Sequence, residues 1–297
     1  MYCPKCKKII EDDSVFCEYC GVKIKKSKWP LFGAIVGVIA AIVVVGIFTI
    51  DLSGGKSKKT KDSYSFEIGE ASFTMRKVEG GTFIMGALDS DPEAKAWEKP
   101  AHSVTLDSYY IGETEVTQKL WKQVMGYNPS WFVGDDYPVD KVTWNESVDF
   151  CQKLSQMTGF HFRLPTEAEW EFAARDGRGS SPTPYAGSAN INQVAWYGEN
   201  SGITTHDVST KDPNGLGLYD MCGNVAEWCW DYYSPVLASG AQTNPHGPSS
   251  GDMHVKRGGS WLDDPQQCTV FYRSGSTPNG KSSNLGFRVC CSAGTEM

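Results

Sequence analysis

Gly217-Leu-Tyr-Asp-Met-Cys-Gly-Asn-Val-Ala-Glu-Trp228, then Arg257-Gly-Gly-Ser-Trp261 and Asn284-Leu-Gly-Phe-Arg-Val289, are the segments whose reading decides the fold. Glycines beside aromatics and single charges at that density require a backbone that turns tightly against bulky rings. The expected product is a loop-rich, aromatic-packed globule. Irregular segments of this length need internal fastening, because every turn leaves backbone carbonyls that want partners.

Upstream, three helices are predicted. Thr117 caps one that runs to Met125 and stops at Gly126, and Asn145 is expected to cap a second through Met157, with Val148, Cys151 and Leu154 on one stripe and Gly159 as its end. Thr166-Glu-Ala-Glu169 is a capping box that opens the third, which buries Trp170 and Ala173 and stops before Gly177. Alternation starts around Phe66 and Phe73, and Gly80-Gly-Thr-Phe-Ile-Met-Gly86 reads as a strand bounded by glycines.

The 297 residues, 40% hydrophobic and 12% aromatic, suffice for one large domain with small appendages. Charge divides the chain. Residues 1–61 hold eleven lysines against five acids, a net +6, and the rest holds 17 basic against 30 acidic residues, a net −13. So acidic a main domain repels phosphate backbones, which argues against nucleic acid as a partner.

Cys3-Pro-Lys-Cys6 and Cys17-Glu-Tyr-Cys20 are paired knuckles that together supply the tetrahedral thiolate shell zinc prefers. Paired disulfides or a redox motif are the alternatives, and zinc-binding thiolates would have to stay reduced, which places this head in the cytosol. Leu31–Ile50 is twenty residues without a charge, long enough as a helix to cross a bilayer, with a buried core helix or a cleaved signal peptide as the alternatives. Lys23, Lys25, Lys26 and Lys28 on its N-terminal flank favour a cytoplasmic N-terminus and an extracytoplasmic C-terminal domain. The expected layout is a zinc ribbon over 1–28, a transmembrane helix over 29–51, a flexible linker over 52–65 and the main domain over 66–297.

The three opening segments, with Gly80–Gly86, Glu115-Val-Thr117 and Arg163-Leu-Pro-Thr-Glu-Ala-Glu-Trp-Glu-Phe-Ala-Ala-Arg175, resemble the formylglycine-generating enzyme (sulfatase-modifying factor) family in the same order, over roughly residues 70 to 291. That resemblance implies an α+β, loop-rich variant of the C-type lectin-like fold. It also implies an enzyme that oxidises a cysteine of an extended polypeptide with a copper-binding cysteine pair. The positions corresponding to that pair are Asp263 and Cys268 here, and Ala226 replaces a usual tryptophan, which puts copper and copper-dependent oxidation in doubt. Beside Asp263 the Cys268 thiol should resist ionisation, and a half-buried structural thiol or disulfide partner is preferred over a catalytic one. If the domain still acts on polypeptides, Ser260 and Cys268 line its groove.

Asp220 and Glu227 flank a glycine turn, an arrangement that suits calcium, with helix caps or surface charges as the alternative. The resemblance places a structural calcium on Asp220, the carbonyls of Gly223 and Val225, and Glu227. It also implies a disulfide from Cys151 to the C-terminal strand, where Cys290 or Cys291 would stand in for the usual position Val289. His102, His161, His206, His246 and His254 show no metal spacing and are expected on surfaces or turns. Two further readings remain: a non-catalytic ligand-binding module, like the variable proteins of diversity-generating retroelements, with Trp261, Asp263, Phe271 and Arg273 in its ligand surface; or a structural component of an envelope complex.

Overall fold

A computed structural model describes residues 56–60, 62–91, 94–179 and 182–296. The zinc knuckles at Cys3, Cys6, Cys17 and Cys20 and the apolar run Leu31–Ile50 lie outside the described residues. No helix among the described residues is long and apolar enough to cross a membrane.

A six-stranded sheet organises the domain in the order β1 (Lys56–Lys59), β2 (Ser63–Ile68), β3 (Ala71–Val78), β6 (Tyr109–Gly112), β15 (Cys290–Glu296), β7 (Phe160–Arg163). A second sheet joins β13 (Arg273–Ser276), β12 (His254–Arg257), β10 (Ala226–Tyr232) and β14 (Leu285–Gly286), and a third joins β11 (Gln242–Thr243), β5 (His102–Leu106) and β4 (Gly81–Met85). Two short strands, β8 (Ala195–Trp196) and β9 (Cys222–Gly223), pair in parallel. The helices are α1 (Gln118–Met125), α2 (Trp144–Thr158), α3 (Glu167–Ala174) and the single turn α4 (Ile191–Val194).

The large sheet is buried on both faces because successive side chains alternate sides. Tyr109, Ile111 and Cys290 join one hydrophobic core, while Tyr110 and Cys291 join the other. The second core stacks Trp121 on Phe150 at 5.4 Å between ring centroids, with Phe287 edge-on to both.

Helix ends follow local chemistry. Thr117 accepts the Leu120 N–H and Gly126 closes α1 in the left-handed conformation. In α2 the cap is Thr143, not Asn145: the Thr143 hydroxyl accepts the Glu146 N–H while Glu146 accepts the Thr143 N–H, and this reciprocal box displaces Asn145 into the first turn. Thr166 and Glu169 make the same box for α3.

Two expectations are corrected here. The chain enters the sheet before Phe66, since Lys56–Lys59 pairs antiparallel with Tyr64–Glu67, so part of the expected tether is edge strand. All six cysteines of the domain are free thiols. Cys290 and Cys291 face opposite cores, and Cys151 shares one of them with Cys291 without a bond between the sulfurs.

Candidate functional site

Strand β12 ends at Arg257 and turns through Gly258 and Gly259, whose φ values of +90° and +68° suit glycine. A Cβ on Gly259 would lie 2.5 Å from the Gln267 carbonyl and 2.7 Å from Cys268 Sγ, so only glycine lets this turn close on the single helical turn Pro265–Cys268.

Ser260 and Cys268 both have zero exposure. The Ser260 hydroxyl donates to Asp263 at 2.5 Å and accepts from the Asn284 amide at 3.0 Å, which makes it a fastener between loops rather than a groove nucleophile. Asp263 is thereby held on Ser260. Burial first, the nearby Cys222 second and Asp263 third push the Cys268 thiol well up. Cys268 thus has a thiol companion that the sequence reading missed. Cys222 accepts the Ala186 N–H at 3.3 Å, is fully buried, and is itself pushed up to about 12 by burial. The cysteine position implied by the resemblance holds Asp263, a hard donor already engaged, so Asp263 with Cys268 does not reproduce the thiol pair that suits a soft copper ion.

The frames around this loop are fixed by buried arginines. Arg288 grips Glu227 with two bonds of 2.7 Å and donates to the carbonyls of Gly112 and Tyr219. Arg273 grips Glu167 at 2.6 and 2.8 Å and donates to the carbonyls of Trp97 and Ser234. Arg257 pairs with Glu171 and lies over the Trp170 ring at 5.2 Å. The Arg273–Glu167 and Arg257–Glu171 pairs connect the second sheet to α3, and the bidentate Arg288–Glu227 pair ties β10 to the segment after β14.

The expected calcium ligands come together only in part. Glu227 is occupied: Arg288 takes both its oxygens and Trp170 Nε1 donates to one at 2.8 Å. Asp220 fits better, since its Oδ1 is buried without a partner while Oδ2 accepts the Ser209 N–H. Another unpartnered buried carboxylate oxygen, electrostatically linked to Asp220, is Oε2 of Glu115, whose Oε1 accepts the Val225 N–H at 3.4 Å. Burial first, then Asp220 and Glu227, push the Glu115 carboxyl well up, and burial raises Asp220 to about 6. Three acids face one arginine here, an imbalance that a divalent cation would offset. No group of three His, Cys, Asp or Glu side chains among the described residues is arranged to hold a metal.

Of the four expected ligand-surface residues, Trp261 is buried and donates to the Ser283 carbonyl, and Arg273 is a structural ion pair. Asp263 is half-buried and engaged. Phe271 alone of the four lines an open cavity of ≈ 390 Å³, with Trp97, Pro184, Tyr185 and Tyr272. His254 is not a surface residue either: it is buried between Trp144 and Tyr232, at 3.8 and 4.4 Å, and desolvation lowers its affinity for a proton. His102 is buried as well.

Known proteins share the sequence and fold of this domain. A chaperone protein LppX from Paenibacillus barcinonensis is 32% identical over 71% of this chain and 87% of its own length. A formylglycine-generating enzyme from Streptomyces coelicolor is 36% identical over the same shares of each. Among solved structures, Treponema denticola variable protein 1 superposes with a TM-score of 0.71 at 35% identity, covering 78% of this chain and all of that one. Residues 1–24 match the zinc-ribbon domain model. Residues 69–293 match the sulfatase-modifying factor enzyme 1-like domain model, and the chain belongs to that family.

Proposed function

We propose that this protein binds extracytoplasmic polypeptides without copper-dependent cysteine oxidation, its C-terminal domain held at the cell membrane by the run Leu31–Ile50. One observation carries the reading: Cys268 is sealed, and the position of its expected partner thiol holds Asp263, bonded to Ser260 at 2.5 Å. A thiol that is buried and pushed well up supplies no thiolate to a substrate. The resemblance to a protein named as a chaperone favours polypeptide binding over catalysis. In this reading Cys3, Cys6, Cys17 and Cys20 hold zinc on the cytoplasmic side, and Asp220 with Glu115 holds calcium in the outer domain.

The test is incubation of the protein with Cu(I), oxygen and a Cys-x-Pro-x-Arg peptide. The peptide mass should stay unchanged. A loss matching conversion of cysteine to formylglycine would overturn the proposal. The 35% identity to a variable protein favours one specialisation of the same reading, a module that displays a diversified ligand surface. A near-duplicate of the codons for residues 261–284 beside a reverse transcriptase gene would mark it.

A further inference from the structure

Four large apolar side chains stand in solvent around Trp261. Trp131 is 66% exposed, Val133 79%, Ile203 72% and Leu262 60%. Contacts beneath them tie their loops together. Phe132, between Trp131 and Val133, meets the Trp261 ring edge-on at 5.5 Å, and Leu262 follows Trp261 directly. The Ser201 hydroxyl donates to the Trp261 carbonyl at 2.7 Å and accepts the Ile203 N–H. Isolated exposed apolar residues are ordinary, but several gathered on loops fastened to one buried ring mark a contact surface.

Ile203 adds an independent observation. Its φ is +64°, a conformation that crowds a β-branched side chain, and no burial of that side chain compensates. Strain of this kind persists where the surroundings enforce it, and it clusters at binding sites.

Charge selects the partner. The three loops, residues 130–137, 201–208 and 260–264, carry Asp135, Asp136, Asp207, Asp263 and Asp264 and no lysine or arginine. The adjacent Lys141 lies over the Trp131 ring at 5.1 Å. A rim of aspartates repels an anionic lipid surface and attracts cationic side chains.

We infer that this rim docks an extended polypeptide segment in which apolar side chains alternate with lysine or arginine. The inference rests on the polypeptide-binding reading and names the chemistry of the partner. Its test uses the full-length chain in phosphatidylcholine nanodiscs and two fluorescein-labelled nonapeptides, one alternating leucine with lysine and one alternating leucine with glutamate, with empty discs as the control. Fluorescence anisotropy should show the lysine peptide binding at least tenfold more tightly than the glutamate peptide. Leu262→Ser and Ile203→Gly should each weaken it severalfold, and Ile203→Gly should hold or raise Tm, which separates lost contact from lost fold. Equal binding of both peptides, binding of neither, unchanged binding by the two variants, or displacement by phosphatidylglycerol vesicles would overturn it. These outcomes leave the non-catalytic reading standing, whereas oxidation of the Cys-x-Pro-x-Arg peptide sinks that reading whatever the rim binds.

Discussion

The arginine frame and the rim around Trp261 are joined through the same five residues, Arg257 to Trp261, yet each breaks the usual rule of burial in the opposite direction. The frame hides full charges, with Arg257, Arg273 and Arg288 all nearly inaccessible against Glu171, Glu167 and Glu227. The rim leaves Trp131, Val133, Ile203 and Leu262 in water. Buried, paired ions hold a geometry but offer little to a ligand, whereas exposed apolar groups add little to the fold and retain free energy for binding. The contrast locates function on the rim and rigidity in the frame.

The largest effect that would break this contrast is in the frame. Arg288→Ala strands Glu227 in the core and should cost about 3–5 kcal/mol in urea unfolding; a cost below about 1 kcal/mol would make the frame dispensable. Next comes calcium. If it binds, chelation should lower Tm, with a stabilisation of about 2.7 kcal/mol lost when the ion had been present at a hundredfold over its Kd. Asp220→Asn should erase that dependence, while Glu227→Gln should destabilise the protein with or without the ion, since Glu227 belongs to Arg288.

A smaller effect lies beneath the rim. Asp140 has zero exposure, its Oδ1 accepts the Trp131 N–H at 2.8 Å, and burial raises its carboxyl to about 7. A raised folded value means that between pH about 4 and about 7 the folded state binds more protons than the unfolded one, so stability from this group falls as pH rises through that window and then levels off. Asp140→Asn should flatten that decline in urea midpoints measured from pH 4 to 8. The smallest effect is in the rim itself: Leu262→Ser should change stability by no more than about 0.5 kcal/mol. A larger change would show that the side chain supports the fold.

Local features were legible from residues alone. Thr117, Thr166, Gly126 and Gly159 mark helix ends through bonds made within a few residues, and the structure keeps all four. Asn145 failed because a neighbour, Thr143, had the better reciprocal partner in Glu146. The glycine-rich motifs were read correctly as tight turns, but their arginines and Trp261 were not all read for what they touch. Arg273 looked like a ligand contact because its acid, Glu167, lies 106 positions away in sequence. Cys222 and Glu115 were passed over for the same reason, as each meets its partner only across the folded domain.

By itself, then, the sequence determined the order of motifs, the turns that require glycine, the helix caps and the acidity of the domain, because these depend on conformational preference and charge within one short segment. Tertiary structure alone decided that Ser260, Trp261, Arg273 and Glu227 are fasteners, that Cys268 is sealed beside Cys222, and that Ile203 and Leu262 face solvent. Exposure and pairing are properties of distant segments brought together, and no local pattern encodes which side of a loop meets water.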